Sequence, residues 1–296
     1  MRRALTAAAV FLGLAACGGK TPGVKVDPAI ATLIPPDSTM LAGIRAEPLR
    51  KTPVYQKYLA SKRLPGLDEL AAKTGMDPRK DLWELLYVSG GKRNALLGRG
   101  NFQGEMETHL QRQGAQVFPY KMYHLVGSDQ AAVVFFNSST AAVGDTNSLR
   151  WVIDARGASQ GPPEALAAIM RQIPEEVQIW AAESSAPRSP IPLTGNLANL
   201  NRLLGSIQTG SLYVDLRMGL NGAASGSCAS EKDAQDIAGA LKAMVGLGRL
   251  STRSDQTELL KIFDSLRVTQ ESRQVKFYAD IPEPLVEKLL STLPGF

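Results

Sequence analysis

Residues 4–14, ALTAAAVFLGL, form a nearly continuous apolar run behind Arg2 and Arg3. The run is too short to span a bilayer as a stable helix and matches the apolar core of an export signal. Residues 18–37 then carry Gly18, Gly19, Pro22, Gly23, Pro28, Pro35 and Pro36. That composition predicts a tether with one short helical turn over 29–33, and a folded part beginning near Ser38.

Beyond Ser38 the hydrophobic period alternates between two and 3.6 residues. Strand patterns cover 39–46, 83–89 and 94–99, the last two joined by Gly90-Gly91-Lys92-Arg93, a hairpin signal. Helical patterns cover 48–61, 67–74 and 103–113, with Gly114 as a C-cap. Three further antiparallel strands are expected at 117–126, 131–137 and 140–144, and Asp145 should cap a helix running to about Ala155. The second half predicts a strand at 177–182, a helix at 197–207 and a hairpin of 211–218 with 223–229. Ser230 with Asp233 three residues on reads as a capping box, followed by apolar residues at helical spacing from Ala234 to Val245. A helix at 258–266, strands at 268–271 and 274–281, and a helix at 283–293 complete the chain.

The two halves can be laid over one another. Leu86-Tyr87-Val88 corresponds to Leu212-Tyr213-Val214, and Asp145 and Asp280 each end the last strand before a closing helix. The expected fold class is α+β: antiparallel sheets with covering helices in two similar halves, a pseudo-repeat. The expected division is a signal at 1–16, a lipidated tether at 17–37, repeats at 38–156 and 175–296, and a connecting segment at 157–174 with a helix over 164–172.

The apolar run ends in Leu14-Ala15-Ala16-Cys17. This resembles the lipobox of bacterial lipoproteins. The resemblance covers the first 17 residues. It implies cleavage before Cys17 and a diacylglycerol thioether on its sulfur, with acylation of the new amine. Two or three chains anchor a protein stably where one holds it marginally. In that family Gly18, in place of an aspartate, implies sorting to the periplasmic face of the outer membrane. The body also resembles uncharacterised exported bacterial proteins, on the strand at 131–137, Ala142-Val143-Gly144-Asp145 and the helix after it; that resemblance brings no activity.

The formal charge is +5, and loss of Arg2 and Arg3 with the signal leaves +3. This is too mild and too dispersed to argue for nucleic acid. The chain has two cysteines, Cys17 and Cys228. With Cys17 lipidated, Cys228 has no disulfide partner, and its setting among small residues without a basic neighbour predicts a buried, inert thiol.

No motif carries recognisable chemistry. Gly18-Gly19-Lys20-Thr21 lacks the leading glycine of a phosphate-binding loop, where Leu14 stands. Gly98-Arg99-Gly100-Asn101-Phe102-Gln103-Gly104 has variant spacing, follows a hairpin strand and has no acid about twenty residues on, so it predicts a tight turn rather than a dinucleotide site. Glu105, His109 and His124 could meet at a metal, yet no HExxH or cysteine pair accompanies them, and surface histidines are expected. No nucleophile elbow is present. Trp83 and Trp151 sit in apolar runs and are expected in the core. No metal, cofactor or catalytic set is therefore expected.

Residues 45–63 carry Arg45, Arg50, Lys51, Lys57, Lys62 and Arg63 against one acid, Glu47. Close behind the tether, Arg50, Lys51, Lys57, Lys62 and Arg63 are candidates for contact with anionic headgroups or an acidic polymer. The leading functional expectation is a non-enzymatic envelope lipoprotein. Its partners would be the membrane, through the lipid on Cys17, and an envelope protein or acidic polymer. The alternative is a hydrolase of an envelope polymer, which would show two carboxylates facing one another in a cleft.

Overall fold

A computed structural model describes residues 23–62, 68, 71–72, 75–102, 106–185 and 204–292. Its strands in chain order are β1 (Met40–Ile44), β2 (Leu82–Gly90), β3 (Arg93–Gly100), β4 (Gln116–Tyr120), β5 (Tyr123–Gly127), β6 (Ala132–Asn137), β7 (Thr140–Gly144), β8 (Ile179–Glu183), β9 (Ile207–Asp215), β10 (Gly219–Cys228), β11 (Leu266–Glu271) and β12 (Gln274–Pro282). They pair in the order β11-β12-β10-β9-β8-β1-β2-β3-β7-β6-β5-β4, all antiparallel. The fold is α+β.

The seam between the halves is the β1–β8 pair, where Ala42 faces Ala181. Outward from it, one side reads β1-β2-β3-β7-β6 and the other β8-β9-β10-β12-β11. In each half three strands run outward in order, and the last strand returns beside the third. Leu86-Tyr87-Val88 and Leu212-Tyr213-Val214 occupy matching strands, β2 and β9. The first half adds the hairpin β4–β5 at its outer edge. The two halves share one sheet because β1 and β8 each need a second partner for their backbone groups, and each finds the other.

The helices are α1 (Pro28–Ala31), α2 (Ala46–Arg50), α3 (Pro78–Asp81), α4 (Met106–Arg112), α5 (Thr146–Ala155), α6 (Glu164–Met170), α7 (Glu231–Ser251), α8 (Thr257–Asp264) and α9 (Glu283–Thr292). Alternation along the strands sends Leu41, Leu86, Val88, Leu97, Ala142, Trp180 and Ala182 to one face, where α1, α5 and α6 bury them in the main core. This core draws on both halves. Asp145 starts α5 by accepting from the N–H groups of Asn147 and Ser148, both at 3.0 Å. Ser230 and Asp233 form the expected capping box at α7, each side chain accepting from the other's backbone N–H at 3.1 Å. On the opposite face, α7 packs Ala234, Ile237 and Ala238 on Cys228 and Val275, while α8, α9 and Val54 cover Leu216 and Ile281.

The tether expectation fails over its described part, residues 23–37. Val24 N–H donates to Ile173 O at 3.0 Å, and Val24, Ile30, Leu33 and Ile34 are all buried in the main core. Burying each such side chain contributes roughly 1.5–3 kcal/mol, which outweighs the extended preference of the prolines around them. The connecting segment is likewise structural, since Leu166, Met170 and Ile173 share that core.

Three local expectations also change. The helix expected over 48–61 stops at Arg50, because Pro53 disfavours helical backbone at the residue before it. Thr52 Oγ1 accepts from Tyr55 N at 3.2 Å, and a π-helical turn follows over Tyr55–Leu59. The strand expected over 117–126 is the β4–β5 hairpin, turned at Lys121 with φ 52°. Pro119 is accommodated because β4 is the sheet edge. Ile207 starts β9 instead of ending a helix; the rest of that expected helix, 197–203, and most of the one at 67–74 lie outside the described residues.

Candidate functional site

The helices leave part of the second sheet face uncovered in the first half. Two cross-strand rows line it: Leu85–Gly98–Ala141–Phe135 and Leu96–Val143–Val133. Met76, Leu82, Phe102, Met106 and Leu110, from the α3 and α4 regions, rise around these rows and enclose a cavity of about 470 Å3. The floor is low because Gly98 and Ala141 are small. A side chain starting at Gly98 would enter the space beside Phe102, whose Cζ lies 3.3 Å from an added Cβ. Among the described residues no charged side chain lines the cavity. Leu96 and Val143 remain 37% and 46% exposed at its rim.

A cation reaches the backbone of one cavity-lining residue, Leu82. Arg50, half-buried on α2, donates from Nη1 to the carbonyl of Leu82 at 2.6 Å. Ala46, one turn earlier on α2, packs into the same apolar cluster as Leu82 and Phe102.

A second, more polar cleft of similar volume lies between Arg45, Lys51, Glu176 and Arg217. Its charges answer one another. Arg217 pairs with Asp215 at 2.7 Å and with Glu176, and Lys51 with Glu47 at 2.8 Å. Burial raises the Asp215 pKa, but bonds from Arg217 hold it below its ordinary value. Arg45 is spent on Glu175 O at 2.6 Å.

The residues singled out in the sequence are dispersed. Cys17 and Arg63 lie outside the described residues. Lys57 pairs with Glu283 at 3.2 Å, and Lys62 is exposed and accepts from Arg79 Nη2 through its carbonyl. His109 bonds Gln113 at 3.0 Å, whereas His124 Nδ1 faces Glu107 at 3.1 Å; Glu105 is outside the described residues. Among the described residues no group of three metal-ligating side chains comes together. The N–H groups of Gly100, Asn101 and Phe102 donate to Ser139, Asp81 and Ser138 carbonyls, so the described part of the glycine-rich stretch offers no phosphate cradle. Cys228 is buried and unbonded to sulfur, and burial with the nearby charge of Asp233 raises its pKa. Trp151 is buried, but Trp83 is 39% exposed, with the Arg99 guanidinium 5.3 Å from its ring. Trp83 is thereby corrected from core to surface.

Among the described residues several pairs of acids come near one another, including Glu84 with Asp27 and Asp215 with Glu176. Glu84 Oε1 accepts from Asp27 N at 3.4 Å, while the Asp27 carboxylate lies 3.1 Å from Arg99 and caps α1. Burial raises the Glu84 pKa. Asp215 and Glu176 share Arg217. Neither pair lines the apolar cavity.

The sequence did not single out the cavity, though a signal was present. Ala132-Val133-Val134-Phe135-Phe136 and Ala95-Leu96-Leu97-Gly98 are apolar on both strand faces, where a half-covered antiparallel strand should alternate.

Fold and site thus define an α+β protein on one antiparallel sheet with an apolar side cavity. No family model and no curated relative matches the chain. Its fold is similar to crystal form III of TP0453, a treponemal lipoprotein, with a TM-score of 0.52 and 9% identity over 91% of this chain and 99% of that one. Crystal form I of TP0453 gives 0.46 at 9% identity, over 90% of this chain and 98% of that one. At this identity the likeness is one of fold. Among the described residues no helix is long and apolar enough to cross a membrane.

Proposed function

We propose that this protein is a non-enzymatic binding protein of the cell envelope, tied to a membrane by lipid on Cys17, with the apolar cavity as its binding site. The cavity carries the reading. Its volume falls within the roughly 300–1,000 Å3 of small-molecule sites, and apolar walls on a rigid sheet favour uptake of an apolar group without chemistry. The lipobox-like end of the signal supports the anchor, and the fold likeness to a lipoprotein agrees with it.

Two measurements test the reading. Full-length protein made in a Gram-negative host should incorporate labelled palmitate, and Cys17→Ser should lose the label and leave the membrane fraction. The body from Gly23 onward should enhance the fluorescence of an uncharged naphthylamine probe, and Gly98→Val should weaken that enhancement severalfold. Equal labelling of both forms would refute the anchor. A probe signal indifferent to Gly98→Val would refute the site.

A further inference from the structure

Resting on the cavity as a binding site, we infer that its ligand is an anionic acyl lipid, with the chain in the cavity and its carboxylate or phosphate at Arg50. The lining limits the chemistry first. Gly98, Phe102, Phe135, Ala141 and Leu110 present no side-chain donor or acceptor, so a sugar, nucleotide or polar peptide would lose its bonds to water without replacement. A flexible hydrocarbon chain loses nothing and fills an irregular space.

Charge sets the head. Arg50 is held by its bond to Leu82 O, and Leu82 is itself part of the cavity wall. That bond uses one of five guanidinium N–H donors. No described carboxylate forms an ion pair with Arg50, unlike Lys51 and Lys57 on the same segment. An oxyanion placed there gains charge-assisted hydrogen bonds in a planar fork suited to carboxylate and phosphate alike. The neighbouring basic groups add a field of the same sign: Lys51 is the next residue, and Lys80 lies on α3, each already facing one acid.

The test uses the full chain with the lipid-free Cys17→Ser substitution, in detergent-free buffer. Palmitate should bind with an affinity that falls about fourfold for each methylene removed, down to laurate. Hexadecanol, of equal length and uncharged, should bind at least tenfold more weakly. Arg50→Gln, which removes the charge and leaves a polar side chain, should lose that difference while still binding hexadecanol. A photoactivatable palmitate should label peptides containing Leu96–Phe102 and Ala141–Val143 without any substitution. Vesicles of phosphatidylglycerol separate the sources: lipid extracted from them points to a phospholipid, and binding of free palmitate alone points to a fatty acid. Equal affinity for palmitate and hexadecanol would overturn the Arg50 head site and leave the cavity reading standing. Failure of both chains together with the uncharged probe would sink the cavity reading itself. Labelling elsewhere would overturn the location.

Discussion

Gly43 of β1 and Trp180 of β8 face one another across the seam of the two halves, and the indole fills the space that any side chain at 43 would need. A methyl group on Gly43 would lie 2.5 Å from Trp180 Cε2. Trp180 is 1% exposed and sits in the core shared by both halves, so it has nowhere to retreat. Gly43→Ala should therefore destabilise the protein by about 1–3 kcal/mol, lowering Tm by about 3–10 °C. Trp180→Phe should cost stability alone yet offset part of the Gly43→Ala effect. Thermal unfolding of the four members of this cycle measures the coupling. Strict additivity would mean that the ring does not press on position 43.

The seam shows what the sequence could and could not reveal. Local signals were legible: the capping box of Ser230 and Asp233, the cap at Asp145 and the hairpin turn at Gly90-Gly91 each act within four residues. The Leu86-Tyr87-Val88 and Leu212-Tyr213-Val214 runs fall on matching strands, β2 and β9, but not face for face: Leu86 is buried in the main core while Leu212 is 41% exposed on the opposite face. Joining the halves into one sheet depends on β1 and β8, some 140 residues apart, and no local pattern encodes that pairing. The cavity was missed for a related reason. Apolar residues on both faces of β3, β6 and β7 announce burial, but which face a helix leaves open is decided by packing.

The N-terminal segment gives a sharper separation between composition and packing. Its prolines and glycines read as a tether, yet Ile30 is 0% exposed and touches the main core. Ile30→Ala should cost about 2–5 kcal/mol, the range for emptying a buried aliphatic site. Urea unfolding at constant m-value would report it. A change below about 0.5 kcal/mol would be the behaviour of a true tether.

Cys228 should be chemically silent in the native protein. It is fully buried beneath α7, against Ala234 and Ile237, and its thiol pKa is raised by burial and by Asp233. The nucleophile is the thiolate, so both exposure and ionisation oppose reaction. Alkylation by iodoacetamide at pH 8 should be at least a hundredfold slower in the native Cys17→Ser protein than in urea. Rapid native labelling would mean that α7 opens readily from the sheet.

Asp145 links acidity to stability through one helix start. Its carboxylate accepts from Ser148 Oγ at 2.6 Å as well as from the two N–H groups that begin α5. Partial burial pushes its pKa up, but these hydrogen bonds outweigh that and leave it below the ordinary aspartate value. A carboxyl with a lowered folded pKa binds its proton more readily when unfolded. Its contribution is thus complete above the unfolded-state pKa of about 3.9 and disappears as pH falls through the folded value. At pH 7, Asp145→Ala should cost about 1 kcal/mol, typical of a lost N-cap, and Asp145→Asn less, since an amide oxygen can still accept from Asn147. The gap between wild type and Asp145→Ala should then shrink from pH 5 to pH 2. Denaturant unfolding of both proteins across that range provides the check. A gap independent of pH would show that the side chain acts at α5 through shape alone, with no contribution from the charge facing the helix N-terminus.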